Sequence, residues 1–215
     1  SHWSLFEQLI QLFGRCLKWV HLHERGFRNA TNVVITEMEI TFPDLPEAFD
    51  GYTILHLTDL HLDHITGIED IICKQIEKTS QNLVVFTGDY REKTYDGFHR
   101  ILPPLGRIVQ TITASDGIIA VLGNHDTCKM VPYMEDMGIT VLANETITHR
   151  RQGDTLAMTG IDDPHYYYTD QAIDALDKSS GSFKIALVHS PELYDITADS
   201  GYRLYLCGHT HAGQI

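Results

Sequence analysis

The chain has 215 residues, of which 43% are hydrophobic, and it carries a formal net charge of −13 at pH 7. This size and hydrophobic content predict one large domain, or one domain with an extension, around a substantial core. The negative charge disfavours binding to bulk nucleic acid, and four widely spaced cysteines favour reduced thiols in a cytoplasmic protein over a disulfide framework.

The first predicted element is an amphipathic helix over residues 3–22, with apolar side chains on one face. Residues 1–30 hold four basic and two acidic residues, a net charge of +2, so residues 31–215 carry −15. This pattern is typical of peripheral contact with the inner face of the cytoplasmic membrane, and it equally fits packing on this domain or on a second subunit. We assign residues 1–30 to the helix and a linker, and residues 31–215 to the main domain.

The main domain alternates short apolar runs with helical patterns, which predicts an α/β fold. Residues 33–42 alternate apolar and polar side chains and predict a strand. Further strands are predicted at 52–58, 83–87, 118–122, 139–142, 145–150, 155–160, 184–188 and 202–207, and helices at 67–80, 94–113, 128–137 and 169–177. The stretch 139–160, with a turn at Gly153-Asp154, is interpreted as a β-meander between the two halves of the domain.

Five of these strands end directly before residues that bind metals in proteins. The five motifs are Asp59-Leu60-His61, Gly88-Asp89, Gly123-Asn124-His125-Asp126, His189 and Gly208-His209-Thr210-His211. Because ligands bind outside the carboxyl ends of the strands in an open α/β sheet, we expect these side chains to share one rim. The carboxylates of Asp59 and Asp89, one amide and five imidazoles at one rim predict a metal site.

The pattern Asp-x-His predicts a pair of ligands for one ion, because side chains two residues apart in an extended segment point to the same side. Asp59 and His61 form this pair, and Asp89 can bridge two ions through its two oxygens. Asn124 supplies a neutral amide oxygen. Nitrogen ligands come from His189, His209 and His211. This mixture suits zinc, manganese or iron better than calcium.

The charge of such a site indicates its substrate. Two divalent ions bring four positive charges, whereas two aspartates and a bridging hydroxide remove three, which leaves roughly +1. A centre with this charge favours one anionic oxygen of a phosphodiester or another phosphoryl group. Two paired ions also stabilise both the attacking and the leaving oxygen.

These motifs, in this order, resemble the calcineurin-like metallophosphoesterases, and the resemblance spans residues 52–215. The segment 45–51, followed by Leu57-Thr58-Asp59-Leu60-His61, is similar to the YkuE-like branch, which also resembles the LpxG type of UDP-2,3-diacylglucosamine pyrophosphatase. The resemblance implies a metallophosphoesterase β-sandwich flanked by helices. It also implies two divalent transition metals (manganese, iron or zinc) and a hydrolase that cleaves a phosphodiester or pyrophosphate bond by a metal-bridging hydroxide.

The same resemblance implies a role for each motif residue. The first metal would bind Asp59, His61, Asp89 and His211, and the second would bind Asp89, Asn124, His189 and His209. His125 would act as a general acid or donate to the charge of the transition state. Asp126 would orient His125.

Several nearby residues have two interpretations. Arg91 lies where the sequence departs from the family pattern after Gly-Asp, and it either contacts a substrate phosphate or faces solvent. His64 either reaches the rim of the site or is a surface residue. Tyr166, Tyr167 and Tyr168 either cover an acyl chain or a base, or pack on the adjacent helix.

Two functions follow from these observations. The first is a metal-dependent phosphoesterase, with a lipid-linked substrate such as UDP-2,3-diacylglucosamine if the helix at 3–22 meets the membrane. The alternative is a catalytically weak scaffold or binding module with the metallophosphoesterase fold. Retention of every ligand position and of His125 favours the enzyme. Family members usually continue through further strands, so the resemblance also predicts that C-terminal strands are missing after Ile215.

Overall fold

Two four-stranded sheets and their flanking helices make up the body of the protein. The structure, a computed structural model, describes residues 12–15, 17–19, 21–95, 97–164 and 169–211. The chain divides into two compact units, residues 1–37 and residues 38–215, and the division at residue 30 stays a prediction. The predicted mixed α/β class, with a sandwich flanked by helices, is confirmed.

The first sheet is entirely parallel. Its strands are β1 (Ile54–Leu57), β2 (Leu83–Thr87), β3 (Ile118–Val121) and β4 (Ile139–Val141), side by side in that order. All five residues of β2 are buried, as expected for a central strand that is covered on both faces. Because the strands are parallel, their carboxyl ends all lie at the same edge of the sheet.

The second sheet begins with a hairpin and continues in parallel. β5 (Glu145–Arg151) and β6 (Asp154–Gly160) are antiparallel, and the residues between them, Gln152 and Gly153, have φ angles of 51° and 95°. Two positive φ angles are typical of a type I′ hairpin turn. β7 (Phe183–Leu187) and β8 (Leu204–Leu206) extend the sheet from β6 in parallel, so the carboxyl ends of β6, β7 and β8 share one edge.

Helices flank the sheets and connect the parallel strands. In the described part of the main unit, the α-helices in chain order are α2 (Ile68–Ile76), α3 (Leu102–Thr111), α4 (Val131–Asp136), α5 (Asp170–Lys178) and α6 (Tyr194–Asp199), whereas α1 (Leu22–Thr31) belongs to the N-terminal unit. One face of α2 buries Ile68, Ile72 and Ile76, which are spaced four residues apart. The side chain of Thr169 caps the start of α5 by accepting a hydrogen bond from the amide of Ala172 at 3.2 Å.

The main core lies between the two sheets. Alternate residues of β2, β3, β6 and β7 point inward, as the period of two in a strand requires. The buried cluster consists of Phe49, Leu83, Val85, Ile119, Val121, Leu142, Leu156, Met158, Phe183, Ile185 and Leu187. Complete burial of one such side chain stabilises a protein by about 1.5–3 kcal/mol. This core therefore stabilises the two sheets whose ends carry the loops.

Two predictions about strands are wrong. Residues 33–42, all of which the structure describes, form no regular strand, and Val34 and Met38 are 67% and 77% exposed. Alternation creates two faces, but a strand also needs a partner for its backbone hydrogen bonds, which local sequence does not specify. The stretch 139–160 is not a meander, because β4 pairs with β3 in the first sheet while β5 and β6 open the second.

The N-terminal unit contains helical segments that leave apolar side chains exposed. Residues 12–15 and 17–19 are helical, and α1 follows them. No residue of α1 is buried, and Trp19 and Phe27 are 84% and 50% exposed. The remainder of the predicted helix, residues 3–11, 16 and 20, lies outside the described residues. Among the residues that the structure describes, no helix has the length and apolar character needed to cross a membrane.

The two sheets are in close contact at the carboxyl end of β6. A Cβ atom added to Gly160 would overlap the Cβ atom of Leu142 and would lie 2.8 Å from Cγ1 of Val121. Glycine at this position therefore lets the second sheet pack directly against the carboxyl ends of the first.

Gly160→Ala is expected to destabilise the protein by about 1–3 kcal/mol, because the added methyl group overpacks the contact between the sheets. Urea denaturation followed by circular dichroism measures the loss. Gly97→Ala is the matched control: Gly97 has a φ angle of −60° and nothing within 4 Å of an added Cβ atom. Its free energy of unfolding should change by less than about 0.5 kcal/mol. Equal stability of the two variants would contradict the close contact.

Candidate metal centre

Five loops bring the predicted ligands to one edge of the sandwich. Each loop follows the carboxyl end of a strand: β1, β2 and β3 in the first sheet, and β7 and β8 in the second. In chain order the loops carry Asp59 and His61, then Asp89, Asn124, His189, and finally His209 and His211. The distances between these side chains join all seven into one cluster.

Four of the side chains surround one position. Nε2 of His211 lies 3.5 Å from Oδ1 of Asp59 and 3.4 Å from Nε2 of His61. Nε2 of His61 lies 3.9 Å from Oδ2 of Asp89. Asp59, His61 and His211 each offer a ligand atom within 4.8 Å of the other two. These are the residues that the sequence predicts for the first metal.

Four side chains surround a second position, and Asp89 belongs to both sets. Nε2 of His189 lies 3.3 Å from Oδ2 of Asp89 and 3.0 Å from Oδ1 of Asn124. Nδ1 of His209 lies 3.0 Å from the same amide oxygen. The side chains predicted for the second metal are therefore neighbours, with Asn124 in their middle.

The spacing of these atoms fits metal coordination. Two ligand atoms that each lie about 2.1 Å from one ion are roughly 3.0 to 3.4 Å apart at octahedral to tetrahedral angles. The separations are 3.0 Å around Asn124 and 3.3 to 3.5 Å for the pairs His189–Asp89, His61–His211 and His211–Asp59, close to this range, whereas His61 and Asp89 are wider apart at 3.9 Å. Imidazole nitrogens combined with carboxylate and amide oxygens form a ligand set that suits zinc, manganese or iron.

The backbone of the ligand loops adopts a left-handed conformation that side chains other than glycine rarely take. Asp59, His61, Asp89, His209 and His211 have φ angles between 40° and 67°. Each such residue costs of order 1–3 kcal/mol and persists where its surroundings hold it in place. The sequence interpretation assumed that the segment Asp59-Leu60-His61 is extended. These φ angles show that it is not. Two left-handed residues, rather than the period of a strand, bring the Asp59 and His61 side chains together.

Hydrogen bonds on the far side of two histidine rings determine which nitrogen faces the centre. Nδ1 of His189 lies 2.7 Å from the carbonyl oxygen of Thr87, and Nδ1 of His61 lies 3.1 Å from that of Arg91. A carbonyl oxygen only accepts, so in each ring Nδ1 carries the proton that it donates. Nε2 is then the nitrogen that each ring presents to an ion.

Asp89 and His189 are buried and stabilise each other's charge. Asp89 is 2% exposed, and His189 is fully buried. Burial opposes ionisation of Asp89, yet His189 and the amide of His125 hold its pKa below the ordinary value. Burial by itself lowers the pKa of His189, but Asp89 raises it to about 9. An ion that binds here displaces a proton from His189, so metal affinity should rise with pH.

His125 lies at the edge of the cluster. Its amide donates to Oδ1 of Asp89 at 2.9 Å, and its ring Nδ1 donates to the carbonyl oxygen of Glu92 at 2.5 Å. One of its ring nitrogens lies within 4.8 Å of ligand atoms of His61 and Asp89. Because Nδ1 is engaged by a carbonyl, Nε2 is the nitrogen that remains for a substrate or an ion.

In the described part of the chain, Asp126 bonds backbone amides rather than the ring of His125, which corrects the sequence interpretation. Its carboxylate accepts hydrogen bonds from the amides of Gly123 at 2.8 Å, Asp89 at 2.8 Å and Tyr90 at 3.1 Å. Burial of the carboxylate raises the pKa of Asp126 to about 7, although the amides lower it. Through these hydrogen bonds Asp126 connects the loop after β2 with the loop after β3. The connection holds Asp89 near Asn124.

Arg91 and His64 have surroundings that the sequence did not specify. Arg91 is 7% exposed and its Nε donates to the carbonyl oxygen of His125 at 2.6 Å, so the solvent-facing interpretation is wrong. A contact between Arg91 and substrate stays a prediction. His64 is exposed, and its Nδ1 lies 2.7 Å from Oε2 of Glu92. Tyr166, Tyr167 and Tyr168 lie outside the described residues.

Sequence reasoning missed the residues that hold the ligand loops. Thr58 donates to Oδ2 of Asp59 at 2.9 Å, and Asp63 accepts hydrogen bonds from the amides of residues 92 and 93. Gly208 is needed because a Cβ atom there would overlap Thr58 and Asp59. Thr58 lies within the segment that resembles the family but was given no role there, and for Asp63 the only signal was its proximity in sequence to His61.

A comparison with protein families decides what this arrangement is. Residues 52–213 match the calcineurin-like phosphoesterase family, and this range contains all seven predicted ligands and His125. The chain belongs to this family. The resemblance drawn from the motifs is therefore confirmed.

The relatives of the chain include bacterial proteins of greater length. It is 30% identical over 191 residues to an uncharacterized metallophosphoesterase, YkuE, of Bacillus subtilis strain 168, which covers 84% of this chain and 65% of YkuE. It is 25% identical over 171 residues to the phosphodiesterase YaeI of Escherichia coli K12, which covers 76% of this chain and 62% of YaeI. The chain thus spans less than two thirds of the length of these two proteins.

A solved structure shares the fold. It is that of a hypothetical protein from Thermus thermophilus, with a TM-score of 0.52 and 15% sequence identity. The match covers 74% of this chain and 68% of the Thermus protein.

Asp89→Asn is expected to reduce the metal content from about two ions per chain to one or fewer, because an amide cannot bridge two ions as a carboxylate does. Elemental analysis after reconstitution with manganese and desalting measures this content. Asp44→Asn is the matched control, since Asp44 is exposed and pairs with Arg203 at 2.8 Å. It should keep the wild-type content. A content of about one ion or fewer per wild-type chain would contradict a dinuclear centre.

Proposed function

We propose that the chain is a metal-dependent phosphoesterase that hydrolyses a phosphodiester or pyrophosphate bond with two metal ions. The observation that carries this proposal is the cluster of seven ligand side chains around Asp89, with His125 at its edge. Membership of the calcineurin-like phosphoesterase family and the similarity to a phosphodiesterase support the same class of reaction.

Each ion would be held by four side chains, and Asp89 would belong to both sets of four. One ion would bind Asp59, His61, Asp89 and His211, and the other would bind Asp89, Asn124, His189 and His209. When bound, two such ions lower the pKa of a water molecule so that it can attack phosphorus, and they neutralise the phosphoryl oxygens. Manganese, iron and zinc all suit this set of nitrogen and oxygen ligands.

The charge of the centre explains why cations are needed. Asp59 and Asp89 place two carboxylates where an anionic phosphate must bind, in a chain with a net charge of −13. Without cations these charges repel the substrate. With two divalent ions the balance becomes positive, and this favours the binding of one anionic phosphoryl oxygen.

His125 would donate a proton to the leaving oxygen. The bond from its Nδ1 to Glu92 orients the ring, and the bond from its amide to Asp89 fixes its backbone beside the ligands. The doubly protonated ring can then act as the acid: Nδ1 stays bonded to Glu92 while Nε2 gives its proton to the leaving oxygen, which returns the ring to its neutral Nδ1–H form. A general acid in this position matters most for substrates whose leaving group is poor.

We further infer that the substrate is lipid-linked and that the N-terminal unit contacts the inner face of the membrane. In support, α1 buries none of its residues, and Trp19 and Phe27 are largely exposed. Basic residues accompany these apolar side chains at Arg15, Lys18, Arg25 and Arg28. A basic helix with apolar side chains in water suits an anionic membrane surface. A substrate such as UDP-2,3-diacylglucosamine combines a pyrophosphate with acyl chains and would be presented there.

The scaffold alternative is less well supported. A binding module with this fold is free to lose ligands, because nothing in its function depends on them. This chain keeps all seven ligand positions and His125, and their side chains converge on one centre.

His125→Ala should lower kcat by about 100- to 10,000-fold for a diester or pyrophosphate with a poor leaving group, because the general acid is lost. The loss should be smaller for bis-p-nitrophenyl phosphate, since p-nitrophenolate leaves without a proton. A panel of both substrate types with manganese, including UDP-2,3-diacylglucosamine, measures this difference. His99→Ala, at an exposed histidine, is the control. Undiminished hydrolysis by His125→Ala, with its metals bound, would rule out the assigned role.

Deletion of residues 1–31 should abolish co-sedimentation with vesicles that contain anionic lipid, while hydrolysis of bis-p-nitrophenyl phosphate stays at the wild-type rate. Binding by the full chain should weaken as salt rises, because the electrostatic part of the attraction is screened. Vesicles of neutral phosphatidylcholine are the control. If the shortened chain sediments with anionic vesicles as well as the full chain does, the membrane contact lies elsewhere or does not exist.

A further inference from the structure

We propose that Asp63 is a positioning residue that holds the imidazole of His125 in its working orientation, acting through the peptide group between Glu92 and Lys93. This inference rests on the proposed function, because it gives Asp63 a part in the reaction assigned to His125. Asp63 lies outside the ligand set, on the loop that follows β1, and belongs to none of the five motifs.

The carboxylate of Asp63 accepts two hydrogen bonds from the loop that follows β2. Its Oδ1 accepts a hydrogen bond from the amide of Glu92 at 2.6 Å, and its Oδ2 accepts one from the amide of Lys93 at 3.2 Å. Two backbone amides on one carboxylate form a bidentate contact that restrains the loop in two places. Hydrogen bonds to an ionised acceptor are also about twice as strong as those between neutral groups.

The second of these amides connects Asp63 directly to His125. The amide N–H of Lys93 and the carbonyl of Glu92 belong to one planar peptide group, so fixing one end fixes the other. That carbonyl accepts the hydrogen bond from Nδ1 of His125 at 2.5 Å. Asp63, the peptide group and His125 therefore form a continuous series of hydrogen bonds, in which each bond polarises the next.

This support is needed because the loop has little regular structure of its own. Residues 91–95 form no helix or strand in the described chain, and Tyr95 is 83% exposed. The side chain of Glu92 is directed to His64 at the surface. Arg91 acts on a different group, since its Nε donates to the main-chain carbonyl of His125 and not to the ring.

The consequence for His125 is a fixed tautomer. While the Glu92 carbonyl stays in place, Nδ1 carries the proton that it donates, and Nε2 is the ring nitrogen that remains for a substrate. Without Asp63 the peptide group can rotate, and the ring loses both its orientation and its preferred tautomer. Removing such a supporting partner typically lowers activity 10- to 100-fold.

A double-mutant cycle in the manganese-loaded 215-residue chain tests this role. Asp63→Ala should lower kcat for a diester with a poor leaving group by about 10- to 100-fold, with little change in KM. In the His125→Ala background, the same substitution should change kcat by less than about twofold, because Asp63 acts through the missing ring. Equal losses in the two backgrounds, or no loss in either, would overturn the proposal.

The controls separate positioning from a general loss of structure. Asp63→Asn keeps one acceptor oxygen and should retain more activity than Asp63→Ala. Asp44→Ala removes an exposed carboxylate that pairs with Arg203, and it should leave kcat unchanged. Metal content should equal that of wild type in all these variants. A loss of metal in Asp63→Ala would show that Asp63 supports the ligands instead of His125.

A spectroscopic readout makes the test independent of turnover. In the zinc-loaded protein, long-range proton–nitrogen correlation spectra should show His125 protonated at Nδ1, and Asp63→Ala should change this to a mixture of tautomers. An unchanged His125 signal in Asp63→Ala would overturn the positioning role. If His125→Ala itself hydrolysed all substrates at the wild-type rate, the proposed function of His125 would fail, while the spectra would still decide whether Asp63 orients the ring.

Discussion

The carboxylate of Asp89 is the group on which the rest of the centre depends. It is almost fully buried, and a buried carboxylate is costly unless it is compensated by hydrogen bonds and positive charge. The compensation comes from His189 and the His125 amide, while His61 lies 3.9 Å away. Because these partners are carried by loops of both sheets, the site forms only when the sandwich is closed.

The ligand loops store conformational strain that the fold must offset. Five of the predicted ligands have left-handed backbone conformations, and each costs of order 1–3 kcal/mol. The apolar core between the sheets and the hydrogen bonds of Asp126 and Asp63 hold these loops in place. The centre is therefore preorganised by its surroundings, as catalytic and metal sites require.

Much of the fold followed from local pattern. The apolar runs that became β2 and β3 were predicted within a residue at each end, because buried parallel strands are short and continuously apolar. Two other predictions, the strand at 33–42 and the meander at 139–160, were wrong because they depend on which strands pair. Alternation does not reveal which neighbour a strand pairs with, and β4 pairs with β3 instead of β5.

The sequence by itself predicted which residues meet at the candidate centre, because ligand chemistry and the order of strand ends are both local properties. The tertiary structure alone decided how those residues are held. It placed Asp126 on three amides, buried Arg91 against the His125 carbonyl, and connected Asp63 to the His125 ring. These contacts join loops that are distant in the chain, and their geometry depends on how two sheets pack and how each loop turns, which no short motif encodes.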